Sequence, residues 1–137
     1  GRIAARALGQ ALGGKGRALM LRYAVGSNST EEREAGFLEV MKKDFPEIQL
    51  ISTDQHAGAT RDSAKRVAEN LLNRFGRQAD GVFASNESAA SGMLLALRDA
   101  GLAGKVKFIA FDAGETLNAG LKAGEVHGLV VQDPLRM

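Results

Sequence analysis

GVFASNESAASGMLLALRDAG, residues 81–101, combines a short apolar strand, a polar turn and an amphipathic helix. The strand is predicted from Gly81 to Ala84, and Asn86 is a suitable N-cap for a helix predicted from Glu87 to Ala100. Gly101 suits the C-cap of that helix. The side chains predicted to share its buried side are Ala90, Met93, Leu94 and Leu97.

The same unit recurs along the chain. Further strands are predicted at 17–23, 48–52, 106–111 and 128–131. Helices are predicted at 2–12, from Ser29 to a stop at Pro46, and at 115–123. Another helix is predicted to follow a loop at 54–60. Ser29 with Glu32 fits a capping box at the start of the second helix. Short apolar strands that alternate with helices indicate a parallel sheet covered on both faces by right-handed crossovers. The predicted fold is a single α/β domain with a doubly wound, five-stranded parallel sheet in the flavodoxin-like order 2-1-3-4-5.

The composition excludes several classes of protein. With 45% hydrophobic and 25% charged residues, the 137-residue chain is typical of one globular domain rather than of a disordered or disulfide-rich protein. Because 18 basic residues are nearly balanced by 16 acidic ones, nucleic-acid binding is not indicated. Cysteine is absent, and the two histidines, His56 and His127, leave little material for a zinc site. No metal or other cofactor is expected.

Polar residues follow every predicted strand. In an open parallel sheet, ligands bind just beyond the carboxyl ends of the strands, which share one edge. The residues that reach this edge after strands one to five are Tyr23, the loop 54–61, Asn86, Asp112, and Gln132 with Asp133. Asn86 and Asp112 would each also serve as a helix N-cap, whereas no turn rule requires the amide of Gln132. We therefore expect a ligand site at this edge.

Two arginines are predicted to converge on the same edge. Arg33 lies one turn before Phe37 on the core-facing side of its helix, and Arg61 lies three residues before Ala64 at the start of the next helix. Guanidinium groups suit hydroxyl, carboxylate or phosphate oxygens. The alternative is that they only close the edge by pairing with Asp54, Asp62 or Asp112.

Catalytic motifs are absent. The sequence contains no Walker A loop, no GxGxxG after the first strand, no GxSxG and no HExxH. The glycine-rich segment 13–16 precedes a strand, which is the wrong order for a phosphate-binding loop. The edge is therefore predicted to bind a ligand and not to catalyse a reaction. His56 is expected on the surface, and His127 is expected to be structural.

At these residues the sequence resembles the type I periplasmic sugar-binding proteins of bacterial ABC importers, the ribose-binding-like group. The matching stretches are GKGRALML, STEEREAGF, ATRDSAKRVAENLL, GVFASNESAASGMLLALRDAG, VKFIAFDAG and LKAGEVHGLVVQDP. The resemblance implies that sugar hydroxyls are bound by Arg33, Arg61, Asn86, Asp112 and Gln132. It also implies that Phe111 and the Tyr23–Ala24 turn line the pocket, that the partner is an ABC permease, and that the location is periplasmic, or lipid-anchored if the source has one membrane.

One position departs from the family pattern. Ribose-binding members usually offer an aromatic ring in the loop after strand two, where this chain has Ala59. His56 or Tyr23 would have to supply the ring that contacts the sugar in place of that residue. The ligand thus stays open among a pentose, a hexose, a related polyol and a non-sugar molecule.

The resemblance also suggests an interpretation of the chain ends. Family members have two similar α/β lobes joined by crossing segments, and this chain begins at Gly1 without a Met and ends three residues after Pro134. We expect it to be the second lobe alone, without the N-terminal lobe. Such a lobe would bind its ligand at millimolar affinity or weaker and would expose surface suited to a homodimer.

Two other functions compete with transport. The effector-binding core of a lactose-repressor-type transcription regulator shares the fold and is the main alternative, although the ending LKAGEVHGLVVQDP is more similar to the transport proteins. An enzyme with a flavodoxin-like fold is the weaker alternative.

Overall fold

The computed structural model describes residues 2–23, 28–58, 60–75, 78–111 and 115–130, without the side chains of residues 28, 29, 54, 115 and 116. Helices and strands alternate throughout these residues. In chain order they are α1 (Arg2–Ala11), β1 (Gly16–Arg22), α2 (Asn28–Asp44), β2 (Ile48–His56), α3 (Arg61–Phe75), β3 (Gly81–Ala84), α4 (Glu87–Asp99), β4 (Lys107–Phe111), α5 (Glu115–Lys122) and β5 (Gly128–Val130). No helix of the described residues is both long and apolar enough to cross a membrane.

The five described strands form one parallel sheet in the order β2-β1-β3-β4-β5. The predicted fold class and strand order are therefore confirmed. Val82 on β3 is aligned with Leu19 on β1 and with Phe108 on β4, which fixes the register at the centre of the sheet. Because all strands are parallel, their carboxyl ends lie at one edge.

Each face of the sheet is covered by its own hydrophobic core. Side chains alternate between the faces, so Leu19 and Leu21 contribute to the core under α3, α4 and α5, while Ala18 and Met20 contribute to the core under α1 and α2. In the second core, the Phe37 ring of α2 stacks on the Phe83 ring of β3 with centroids 4.4 Å apart. Burial on both faces explains why the strands are short apolar runs.

Three predicted boundaries need correction. β2 continues to His56, which pairs with Arg22, so residues 54–56 belong to a strand rather than to a loop. β2 is an edge strand of the described sheet, where polar residues are tolerated because fewer neighbours cover them. Ser29 is the second residue of α2, so the predicted Ser29 capping box is wrong. Helix α4 has its C-cap at Ala100, and Gly101 follows with a φ of 73°, a left-handed conformation that glycine adopts without strain.

Candidate ligand-binding edge

The carboxyl edge of β1, β3 and β4, hereafter the binding edge, carries four of the predicted site residues. Tyr23 directly follows β1, Arg33 lies near the start of α2, Asn86 precedes α4, and Phe111 is the last residue of β4. β3 lies between β1 and β4 in the sheet, so these elements meet at neighbouring positions. The structure thus brings these residues to one edge, as the sequence predicts.

Arg33 and Phe111 are in direct contact. The guanidinium carbon of Arg33 lies 3.5 Å from the centroid of the Phe111 ring, within the range of a cation–π interaction. Nη1 of Arg33 also donates a hydrogen bond of 2.5 Å to the backbone oxygen of Ser85. The Phe111 side chain is 7% exposed and Arg33 is half-buried. The prediction that Arg33 lies on the core-facing side of its helix is confirmed.

Asn86 has a defined orientation. Its Oδ1 accepts a hydrogen bond of 3.0 Å from the backbone N–H of Ala89, and it is the N-cap of α4 with extended backbone angles. Among the described residues no acceptor is bonded to the amide Nδ2, so Oδ1 can cap the helix while the two N–H donors of the amide serve another partner. The position of Asn86 thus allows both roles expected of it, as the N-cap of α4 and as a ligand contact.

Arg61 is not part of the Arg33–Phe111 contact. It is the first residue of α3, and its side chain is exposed although Ala64 is buried. In the part of the chain that the structure describes, the Arg61 side chain makes no hydrogen bond or ion pair, with Asp62 or any other residue. A position on the apolar side of the helix is therefore not covered at the first residue of α3. Arg61 remains a candidate ligand contact by its location at the strand ends.

The remaining predicted site residues, Asp112 and Gln132, lie outside the described residues, as does Ala59. Tyr23 is half-buried, and its backbone N–H donates a hydrogen bond of 2.9 Å to Oε2 of Glu34. Tyr23 is therefore fixed to the start of α2 through its main chain.

Glu34 is a residue of the binding edge that the sequence prediction missed. Its side chain is 2% exposed, and Oε2 also accepts a hydrogen bond of 2.7 Å from Oγ of Ser85. The signal was present in the sequence, because Glu34 lies three residues before the buried Phe37 and seven before the buried Met41. A carboxylate on the buried side of a helix requires polar partners.

The two histidines lie at opposite edges of the sheet, His56 at the carboxyl end of β2 and His127 directly before β5. His56 ends β2 and is exposed, as expected. Nδ1 of His127 accepts a hydrogen bond of 3.1 Å from the backbone N–H of Phe108, so a structural role is confirmed. Burial, with a smaller contribution from the Lys107 ammonium, lowers the pKa of His127 below its usual value. Among the described residues, no group of His, Asp and Glu is arranged to hold a metal ion.

Two cavities lie elsewhere on the described surface. One, of about 450 Å³, lies at the amino edge of the sheet and is lined by Lys15, Gly16, Asp80, Lys105 and Lys107 with Ala11 and Leu12. The other, of about 170 Å³, lies between α3 and α4. Neither is lined by a predicted binding residue, so neither changes the assignment of the binding edge.

Comparison with known proteins identifies the family. The model of the periplasmic binding protein domain matches residues 1–137, the full chain. The chain belongs to the periplasmic binding protein family. Among curated relatives, the xylitol-binding protein of Mycolicibacterium smegmatis is 36% identical over 123 residues, which are 89% of this chain and 34% of that protein. The D-allose-binding periplasmic protein of Escherichia coli is 29% identical over 119 residues, 87% of this chain and 37% of that protein.

Solved structures of this periplasmic binding protein family superpose closely. A carbohydrate transporter solute-binding protein from Agrobacterium radiobacter, in complex with D-arabinose, has a TM-score of 0.89 and 33% identity, and the match covers 99% of this chain and 47% of that one. A periplasmic component of an ABC-type sugar transport system from Hahella chejuensis has a TM-score of 0.89 and 40% identity, with 97% and 48% covered. The chain thus spans about a third of the length of the curated relatives and just under half of the solved structures.

Proposed function

We propose that this chain is the second lobe of a solute-binding protein of an ABC sugar importer and supplies one side of a site for a monosaccharide or polyol. The observation that carries the proposal is the Arg33–Phe111 pair at the binding edge. A guanidinium held over a buried ring presents N–H donors for hydroxyl oxygens in a fixed orientation, which suits the hydroxyl groups of a sugar. Asn86 adds amide donors beside it.

The lobe interpretation is supported by the extent of the matches. The chain covers just under half of two sugar-transport structures at a TM-score of 0.89. On this proposal the other lobe supplies the opposite wall, and the ligand binds between the two. Asp112, Gln132 and Arg61 are proposed as further ligand contacts, with Tyr23 lining the pocket.

The relatives favour transport over the alternatives. Their names describe xylitol-binding, D-allose-binding and sugar-transport proteins, and they give no support to the transcription-regulator alternative. We propose accordingly that the chain binds its ligand without converting it, acts with an ABC permease, and works in the periplasm or on a lipid anchor outside a single membrane. A homodimer of the isolated lobe stays a prediction.

A thermal-shift screen of the two-lobed protein that contains this lobe tests the proposal. D-Arabinose, D-allose and xylitol are suitable first ligands, because relatives are described as bound to them or as binding them. Arg33→Ala and Asp112→Ala should each abolish the stabilisation by the best ligand. Lys42→Ala, an exposed change in the last turn of α2, should leave it intact. If neither substitution weakens binding, the proposed site is wrong.

A further inference from the structure

Glu34 connects three elements of the binding edge. Its Oε2 accepts hydrogen bonds from the Tyr23 backbone N–H after β1, at 2.9 Å, and from Oγ of Ser85 after β3, at 2.7 Å. Its Oε1 lies 3.6 Å from Nη1 of Arg22. A buried carboxylate that accepts donors from two different strand ends fixes those ends relative to α2.

Ser85 transmits this constraint to Arg33. The backbone N–H of Ser85 donates to the Leu21 oxygen at 3.3 Å, its Oγ donates to Glu34, and its own backbone oxygen accepts from Nη1 of Arg33 at 2.5 Å. Ser85 is fully buried. The oxygen that orients the Arg33 guanidinium over Phe111 is therefore held in place from two sides, one of which is the Glu34 carboxylate.

An amide at position 34 could not satisfy the same partners. Tyr23, Ser85 and Arg22 all present N–H or O–H donors to the side chain, and a carboxylate has acceptors on both oxygens. Glutamine has one acceptor oxygen, so its NH2 group would face either the Arg22 guanidinium or the Tyr23 and Ser85 donors. In the first case the Tyr23 and Ser85 donors keep an acceptor but lose its charge, and the NH2 group meets the Arg22 donors. In the second case the Tyr23 N–H and the Ser85 hydroxyl lose their acceptor.

We propose that Glu34 is a positioning residue for ligand binding: through Ser85 it holds the Arg33 guanidinium over the Phe111 ring in the orientation that meets the ligand. Glu34 does not itself touch the ligand. The part of this inference that concerns ligand affinity rests on the proposed function, whereas the part that concerns the orientation of Arg33 does not.

The test combines a ligand-independent signal with an affinity. In wild type, the Phe111 ring current should displace the NMR resonances of the stacked Arg33 side chain from their random-coil positions. Glu34→Gln should reduce that displacement, and Ser85→Ala, which removes only the Oγ link, should reduce it less. Gly92→Ala, a destabilising change remote from the edge, serves as the control for stability loss. Affinity for D-arabinose, D-allose and xylitol is then measured by NMR titration of the same variants of this chain.

Each outcome decides the inference. A smaller Arg33 displacement in Glu34→Gln, with affinity about tenfold weaker and Gly92→Ala unchanged in both, supports it. An unchanged Arg33 displacement in Glu34→Gln overturns it, and so does a reduced displacement with unaltered affinity. If wild type binds none of the sugars while the displacement still falls in Glu34→Gln, the proposed function fails for this lobe and the role of Glu34 in orienting Arg33 stands.

Discussion

The guanidinium of Arg33 is stacked 3.5 Å from the centroid of the Phe111 ring, which joins the first turns of α2 to the last residue of β4 across the binding edge. Phe111 also belongs to the core under α1 and α2, so the ring is a fixed support for the cation. A half-buried guanidinium held against a ring and a backbone oxygen has lost most of its rotamer freedom before a ligand arrives. Ligand binding then costs less ordering entropy.

Phe111→Leu should weaken sugar binding more than a similar substitution that lowers stability elsewhere in the fold. Leucine keeps an apolar side chain in the core but removes the ring face, and a cation–π contact is worth about 0.5 to 2 kcal/mol. The dissociation constant measured by calorimetry on the two-lobed protein should rise roughly threefold to tenfold or more. Phe75→Leu is the matched control, because Arg74 lies over its ring at 5.2 Å on α3, away from the edge. Equal affinity loss in both variants would refute a specific role for the Arg33–Phe111 pair.

Substitutions at Asn86 should separate stability from binding. Asn86→Ala removes the N-cap of α4 and should lower the free energy of unfolding by about 1 kcal/mol in urea denaturation. Asn86→Ser retains a capping oxygen, so stability should stay close to wild type, while the amide donors proposed to meet the ligand are lost. Sugar affinity should therefore fall in both variants. Unchanged affinity in Asn86→Ser would show that Asn86 is only a helix cap.

The fold was predictable because local patterns and the global packing agree in most of the chain. Strand β3 and the start of α4 are placed correctly, since a continuous apolar run followed by Asn86 has few alternative structures. β2 was predicted four residues too short, because Ser52 to His56 are polar and its extension depends on pairing with β1. Such pairing is a tertiary contact that no local pattern encodes.

Gly92→Ala should be strongly destabilising. A Cβ at position 92 would lie 2.5 Å from Cβ of Ala64 and 2.6 Å from the backbone N of Lys65, so α3 and α4 would have to separate. Overpacking of this kind costs about 1 to 3 kcal/mol. The comparison is Gly128→Ala, whose Cβ would meet the terminal Cδ1 methyl group of Ile109 at 3.0 Å. Chemical denaturation should show a much smaller loss there, and a wild-type midpoint for Gly92→Ala would contradict the helix packing.

His127 should make the protein less stable in mild acid. Because burial lowers the pKa of folded His127 below its usual value of 6.5, the unfolded chain binds the proton more readily. Stability is then fully present above about pH 7 and falls as the pH drops from the unfolded pKa through the lower folded pKa. Protonation of Nδ1 would also remove the acceptor for the Phe108 N–H.

Urea unfolding followed from about pH 5 to about pH 8 checks this dependence. His127→Gln, which cannot titrate, should flatten the acid side of the profile. Asn73→Gln, an exposed change on α3, should not. A profile of the same shape in wild type and His127→Gln would rule out this source of acid sensitivity.

The binding edge was only partly predictable, for reasons that differ by residue. Arg33 was found because its position relative to Phe37 places it on the buried side, where a guanidinium needs partners. Arg61 satisfies the same spacing rule relative to Ala64, yet it is exposed, since the rule assigns a side of the helix but does not say whether another element covers that side at the helix end. The helical spacing of Glu34 marks it as inward-facing, but its role could not be predicted, because its partners are a backbone N–H and a hydroxyl on distant strand ends that only the folded chain brings together.

The most direct test of the central claim is a two-dimensional NMR titration of this chain with D-arabinose, D-allose and xylitol. If the chain is one lobe of a sugar-binding protein, at least one ligand should bind in fast exchange with a dissociation constant around millimolar or weaker, because half of the contacts are missing. The shifts should be confined to the binding edge, around Tyr23, Arg33, Asn86 and Phe111. Saturation at micromolar concentration, shifts centred on another surface, or no shifts with any of the three ligands would contradict the account.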